Sequence, residues 1–168
     1  MEDLSLHVLD IAENSVVAGS TRVDIRITED ERKDLLVIEL KDNGKGMSEE
    51  ELKKATDPFF TTKRGKRVGL GLSLLSQAAS EAEGKLEVKS QPGRGTRVKA
   101  TFRRSHIDRK PLGDMAQTLS CLIAGNPGVR FTYIYRKGER KLILDTAQMW
   151  TDGFWTTVEP EQRRREKG

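Results

Sequence analysis

The chain has 168 residues, 35% of them hydrophobic and 33% charged, with 30 Lys and Arg against 26 Asp and Glu for a net charge of +4. That composition is long and apolar enough for a real core; no apolar run approaches the roughly 20 residues needed to span a bilayer, and so modest a charge does not argue for nucleic acid. A single cysteine leaves no disulfide framework and no cysteine-based metal site, and the acidic Met1-Glu2-Asp3 start lacks a signal-peptide pattern, so a cytoplasmic protein is expected.

Asp3 is placed to cap a helix that runs to about Val17 and stops at Gly19. Its apolar residues cover most of the circumference, and the polar exceptions His7, Asp10 and Asn14 fall at i, i+3 and i+7 on one stripe. A mostly buried helix with one polar stripe points to a site facing that stripe, an exposed face being the alternative. Thr21 to Thr28 alternates, with Val23, Ile25 and Ile27 on one side, and reads as a half-buried strand. After the charged turn from Glu29 to Asp34, a strand from Leu35 to Lys41 returns antiparallel. Ser48 and Glu51 form a capping box for a short helix, Glu49 to Ala55. Gly69-Leu70-Gly71-Leu72 opens another that reaches about Glu81. Strands at Lys85–Ser90 and Thr96–Phe102 flank the turn Gln91-Pro92-Gly93-Arg94-Gly95. Leu112 to Ala124 reads as one more helix, and two strands follow, Val129–Tyr135 and Lys141–Asp145. The organisation predicted is a main domain over 1–103, a small helix-plus-hairpin extension over 104–160, and a basic disordered tail over 161–168.

Chemistry concentrates at Asp42-Asn43-Gly44-Lys45-Gly46-Met47, where a strand leaves its sheet. Two glycines one residue apart let a ligand come close to the backbone. A carboxylate accepts hydrogen bonds without donating any, which suits an exocyclic amino group such as that of adenine. Alone, this run is no more than a strand-to-loop turn.

Three other stretches stand around it in order: the helix with Asp10 and Asn14, then Asp57-Pro58-Phe59-Phe60-Thr61-Thr62-Lys63, then Gly69-Leu70-Gly71-Leu72. Together, from Leu4 to Phe102, they resemble the gyrase, heat-shock chaperone, histidine kinase and mismatch-repair ATPase superfamily. The second and third are most similar to nitrogen-regulation-type sensor histidine kinases, and the helix from Asp10 towards Ile25 to mismatch-repair ATPases. The resemblance implies an α/β fold, an α+β two-layer sandwich of the Bergerat ATP-binding type, with a mixed, mostly antiparallel sheet and helices on one face. It implies ATP and Mg²⁺ as cofactors, with Asn14 as the metal ligand, whose hard amide oxygen suits that ion. Asp10, one turn earlier, becomes the catalytic carboxylate. Asp42 would read adenine, with Gly44, Gly46 and Met47 shaping the base pocket. Gly69, Leu70, Gly71 and Leu72 would present backbone N–H groups to the phosphates. Lys63, Arg64, Lys66 and Arg67 would balance triphosphate charge in a lid, with Thr62 and Thr96 as polar contacts.

Departures qualify the activity. Many hydrolysing relatives have glutamate at the position of Asp10, and the shorter aspartate leaves rapid hydrolysis open. No lysine-bearing second domain follows and no phosphotransfer domain precedes, so a stand-alone regulator of the anti-sigma-like type is expected, a protein kinase acting on a separate partner protein. Similar small proteins accompany iron–sulfur, hydrogenase-type redox systems, the resemblance's one clue to that partner. The alternatives are a slow ATPase switch and a non-catalytic adenine-nucleotide sensor. His106, within Ser105-His106-Ile107-Asp108-Arg109-Lys110-Pro111-Leu112, faintly resembles a phosphoacceptor box, but its acidic residue is displaced, and a polar linker is the favoured reading. His7 reads as a structural histidine and Cys121 as a small core residue. Trp150, Phe154 and Trp155 either fold back onto the core or form a docking patch for a partner or a second copy, a homodimer.

Overall fold

The computed structural model describes residues 3–57 and 70–148. Asp3 accepts a hydrogen bond from the Leu6 N–H (3.2 Å) and opens α1, Leu4–Val17. β1 (Arg22–Asp30) and β2 (Leu35–Asp42) form the first hairpin. α2 (Glu49–Thr56) begins on the predicted capping box, with the Glu51 N–H donating to Ser48 Oγ at 3.2 Å and the Ser48 N–H to Glu51 Oε1 at 3.4 Å. α3 spans Leu70–Glu81, β3 (Lys85–Gln91) and β4 (Gly95–Arg103) make a second hairpin, and α4 (Met115–Gly125), β5 (Arg130–Lys137) and β6 (Arg140–Asp145) follow.

α4 starts three residues later than its apolar pattern predicts. Asp114 is its N-cap, accepting from the Gln117 N–H at 3.0 Å. The carbonyls of Pro111 and Leu112 are engaged elsewhere, accepting the Leu4 and Ser5 N–H groups of α1 at 2.9 and 2.8 Å. Two donors in the first turn of α1, which lack intrahelical partners, are thereby satisfied.

The strands form one sheet in the order β3-β4-β2-β1-β5-β6. All pairings are antiparallel except β1 with β5, where Val23 stands opposite Phe131 and Ile25 opposite Tyr133. The helix-plus-hairpin segment therefore continues the main sheet, and α4 packs beside α1. Register brings every second residue to one face: Ile25 beside Leu40, Leu40 beside Val98, Ile38 beside Ala100, Leu36 beside Phe102. That face buries against Leu4, Val8, Ile11 and Ala12 of α1, Leu72, Leu75 and Ala79 of α3, and Leu119 and Leu122 of α4. Each large aliphatic or aromatic side chain so enclosed contributes about 1.5–3 kcal/mol. The result is a two-layer α/β sandwich with helices on one face.

Three smaller expectations meet different fates. Cys121 is exposed, not in the core, because α4 buries Met115, Thr118, Leu119 and Leu122, and position 121 falls off that stripe. His7 is buried, 1% exposed, so it lies beneath the stripe that Asp10 and Asn14 present. His106 follows β4 at the end of the sheet away from Thr96, roughly 23 Å along the strand. There its Nδ1 accepts from the Asp108 N–H (3.1 Å) and its Nε2 lies 3.5 Å from Glu83, the setting of a linker residue.

Candidate functional site

Asp42 is the last residue of the inward-facing series Leu36, Ile38, Leu40, Asp42, so the pleat aims its carboxylate into the layer between sheet and helices. It is 7% exposed, and three donors hold it. Ser15 Oγ donates to Oδ2 at 2.6 Å, while the N–H groups of Gly44 (3.0 Å) and Thr96 (3.1 Å) donate to Oδ1. Ser15 Oγ also lies 3.3 Å from the Ile11 carbonyl, but its one proton is better placed for the shorter bond to the charged oxygen. With three of its four or so acceptor sites taken, the carboxylate keeps one orientation and has room for one more donor.

In front of it lies a cavity of about 340 Å³, bounded by α1, the end of β2, the 43–47 loop, α2, the start of α3 and β4. This is the size of a small-molecule pocket. Its walls are apolar at Ile11, Met47, Ala55, Leu72 and Val98, and polar at Asn14, Ser15, Asp42 and Thr96, with Lys45 and Lys54 also lining it. Such a lining suits a flat, partly apolar ring carrying one or two hydrogen-bonding groups.

The loop that shapes the cavity is pinned from three sides. Asn43 Oδ1 accepts from the N–H groups of Thr21 (2.9 Å) and Arg22 (3.0 Å). The Lys45 N–H donates to the Ala18 carbonyl at 3.0 Å, and the Met47 N–H to Ser90 Oγ at 2.8 Å. Gly46 sits at φ +68°, and a Cβ there would stand 1.9 Å from the Gln91 carbonyl oxygen. Gly95, at φ +82°, would put a Cβ 2.0 Å from the Asp42 carbonyl oxygen. Only glycine satisfies both the positive φ and the clearance at these positions.

α1 and α3 meet beside the cavity. A Cβ at Gly71 would lie 3.5 Å from Asp10 Cβ and 3.7 Å from Asn14 Nδ2, so the first turn of α3 packs directly against the Asp10–Asn14 stripe. The N-terminal end of α3 carries the positive end of the helix dipole to the same place. Among the described residues, no three Asp, Glu, His or Cys side chains gather to hold a metal ion.

Of the predicted site residues, Asn14, Asp42, Gly46, Met47, Leu72 and Thr96 line this one cavity. Gly44 lies behind it, where a Cβ would stand 2.7 Å from Ser20 Oγ, and its contribution is the N–H given to Asp42. Asp10 is exposed at the side of the cavity next to Gly71 rather than in its lining. Thr62, Lys63, Arg64, Lys66, Arg67 and Gly69 lie outside the described residues, as do Trp150, Phe154, Trp155 and the 161–168 tail. Ser15 and Asn43 are site residues that the sequence reading passed over. The available signal was a hydroxyl next to Asn14 on an otherwise apolar helix face, which needs a buried partner.

Residues 2–106 match the family model described as histidine kinase-, DNA gyrase B- and HSP90-like ATPase. Sporulation kinase A of Bacillus subtilis is 35% identical over 102 residues, covering 61% of this chain and 16% of that protein. Sensor histidine kinase YxdK of the same organism is 32% identical over 87 residues, 49% of this chain and 26% of that protein. The chain thus spans well under a third of the length of these curated relatives. Among solved structures, the Aquifex aeolicus MutL ATPase domain complexed with ADP is similar at a TM-score of 0.48 and 21% identity, over 80% of this chain and 60% of that one. Because the family match takes in more than half of the sequence, the chain belongs to the histidine kinase-, DNA gyrase B- and HSP90-like ATPases.

Proposed function

We propose that the chain binds ATP together with Mg²⁺ and passes the γ-phosphoryl group to a separate partner protein. The observation that carries the reading is the Asp42 carboxylate, oriented by three donors at the inner wall of a cavity that Asn14 and Leu72 also line. A buried acceptor with one place left for a donor matches the amino group of adenine. Apolar Met47, Leu72 and Val98 offer the faces between which a purine stacks.

Asn14 fits a Mg²⁺ role. Among the described residues its amide makes no side-chain hydrogen bond, and no carboxylate cluster competes for the ion. Mg²⁺ keeps several waters and phosphate oxygens in its shell, so a single hard protein oxygen is sufficient. Bound there, the ion would supply charge neutralisation at the phosphates. In this reading the start of α3 would offer N–H groups to the phosphates, and Asp10, which lies beside Gly71, would accept the proton of an attacking hydroxyl or imidazole. In that transfer the bond from the γ-phosphorus to the β,γ-bridging oxygen breaks as the bond to the partner's oxygen or nitrogen forms, and ADP leaves. The kinase names of the curated relatives support transfer to a protein.

Titration calorimetry with ATP and with GTP, each with and without Mg²⁺, tests the binding half. Expected is Mg²⁺-dependent ATP binding with little affinity for GTP; equal affinity for both bases removes Asp42 as the reader. Incubation with γ-labelled ATP and cell extract tests the chemistry. A labelled second protein supports the kinase, free phosphate alone supports a slow ATPase switch, and neither product leaves an adenine-nucleotide sensor.

A further inference from the structure

The face of the sheet turned away from the helices carries its charges in rows. Register sets Arg26, Glu39, Lys99 and Glu87 side by side across β1, β2, β4 and β3, so their signs alternate. The neighbouring row, towards the Asp42 end, reads Asp24, Lys41, Arg97, Lys89. Three cations there stand directly opposite one another, an arrangement that destabilises a sheet. Asp24 does little to offset them, since it is bonded to Arg22 (3.0 Å) and to the Thr132 hydroxyl. Arg97 pairs with Glu39 at 3.1 Å, whereas Lys41 and Lys89 make no ion pair among the described residues. Arg94, from the β3–β4 turn, joins the three around a shallow depression of about 190 Å³.

Guarding a sheet edge against unwanted pairing accounts for lysine on β3, which is the edge strand. It does not account for Lys41 and Arg97, on interior strands that have no edge to guard. We propose that the row is a docking surface for an extended, acidic segment of a partner protein, added as a strand along β3. The outer side of β3 pairs with no strand among the described residues, and Lys85, Glu87, Lys89 and Gln91 are exposed along it, the setting in which an extended segment adds to a sheet. An added strand places one of its side chains directly opposite Lys89, as the next member of the row, and a carboxylate there meets cations within about 10 Å. Nucleic acid fits less well, because its continuous negative charge would run across Glu39 and Glu87 in the adjacent row.

The test uses the full chain without nucleotide, so it stands or falls separately from the ATP reading. Fluorescence anisotropy at low and physiological salt measures binding of the labelled, net acidic peptide Thr-Glu-Thr-Lys-Thr-Glu-Thr-Glu, whose lysine stands opposite Glu87 when the glutamates beside it face Lys85 and Lys89. The double variant Lys41→Gln/Lys89→Gln is expected to weaken binding at least 10-fold. The control Arg136→Gln/Lys141→Gln, an opposed cation pair on the far hairpin, should change it less than twofold. Melting of the Lys41/Lys89 variant is expected at or above the parent temperature, since opposed charges are removed. Arg94→Gln, in the turn and outside the strand ladder, is the second variant and should weaken binding about threefold even if the double variant folds poorly. Unchanged binding in the row variants, or equal loss in row and control, overturns the proposal and assigns the affinity to basic charge elsewhere, such as Arg163, Arg164 and Arg165. Tighter binding of an oligonucleotide of equal charge overturns it in favour of nucleic acid. Self-association that the row variant abolishes, with no peptide binding, overturns it in favour of a second copy.

Discussion

Ser15 Oγ stands 2.6 Å from Oδ2 of Asp42 and ties the C-terminal half of α1 to the last residue of β2. Ser15 is 4% exposed and Asp42 7%, so water does not replace either partner easily. A hydrogen bond to a charged group in such a place contributes about 1.5–3 kcal/mol. Ser15→Ala is therefore expected to lower unfolding stability in urea by that order and to weaken ATP binding severalfold. If both quantities match the parent, the two backbone donors alone orient Asp42.

Asp42→Asn tests the carboxylate itself. The amide oxygen can still accept from Gly44 and Thr96, and Ser15 can turn to accept from the amide, so the fold is expected to hold within about 1 kcal/mol. ATP affinity should fall at least 10-fold, because the adenine amino group would lose its charged acceptor. Asn14→Ala should remove the Mg²⁺ dependence of binding instead, leaving the weaker Mg²⁺-free affinity in place. Titrations with Mg²⁺ and with EDTA separate the two effects, and a Mg²⁺ response that survives in Asn14→Ala takes the metal away from that residue.

Gly46 and Gly93 both sit at positive φ, +68° and +77°, but only Gly46 is crowded. A Cβ on Gly46 would stand 1.9 Å from the Gln91 carbonyl oxygen, while nothing lies within 4 Å of one on Gly93. Gly93→Ala should therefore cost about 1–2 kcal/mol from backbone strain alone. Gly46→Ala should cost more and also weaken nucleotide binding, since the loop must move off the β3–β4 turn. Denaturant midpoints of the two variants, measured side by side, check the order, and equal losses would mean that the crowding relaxes freely.

Alkaline pH probes the β1–β5 junction. Tyr133 is 5% exposed, and burial pushes its hydroxyl up to about 12, with the nearby Glu29 adding to the effect. Tyr135, hydrogen-bonded to Glu29, is raised as well, chiefly by burial. A tyrosine whose folded value is raised holds its proton after the unfolded chain has lost it. Its contribution is thus fully present below about 10 and is lost as pH rises from there to about 12. The two-unit difference corresponds to about 3 kcal/mol. Urea stability should fall across that interval, and Tyr133→Phe should fall less steeply than the parent. Parallel pH profiles for parent and variant would place the loss elsewhere.

Local pattern alone determined a good deal of this protein. Period-two runs at Val23, Ile25 and Ile27 and at Leu36, Ile38 and Leu40 specify strands with one buried face, and Asp3 and the Ser48/Glu51 pair mark helix starts. These outcomes depend on dihedral preferences and on neighbours within a few residues, which a sequence states directly. The nucleotide site was not stated by any spacing: it was expected from the family resemblance carried by the Asp10–Asn14 helix, the run at Asp42 and Gly69-Leu70-Gly71-Leu72. Contacts between distant segments required the tertiary structure. The parallel pairing of β5 with β1 makes the C-terminal hairpin part of the main sheet, and no periodicity encodes which strand becomes a neighbour. Pleat parity had to be combined with helix placement before Asp42 was seen to face inward, and Ser15 was identified as its donor only when α1 lay across β2. The row of Lys41, Arg97 and Lys89 draws its residues from three strands, and register alone brings them into line.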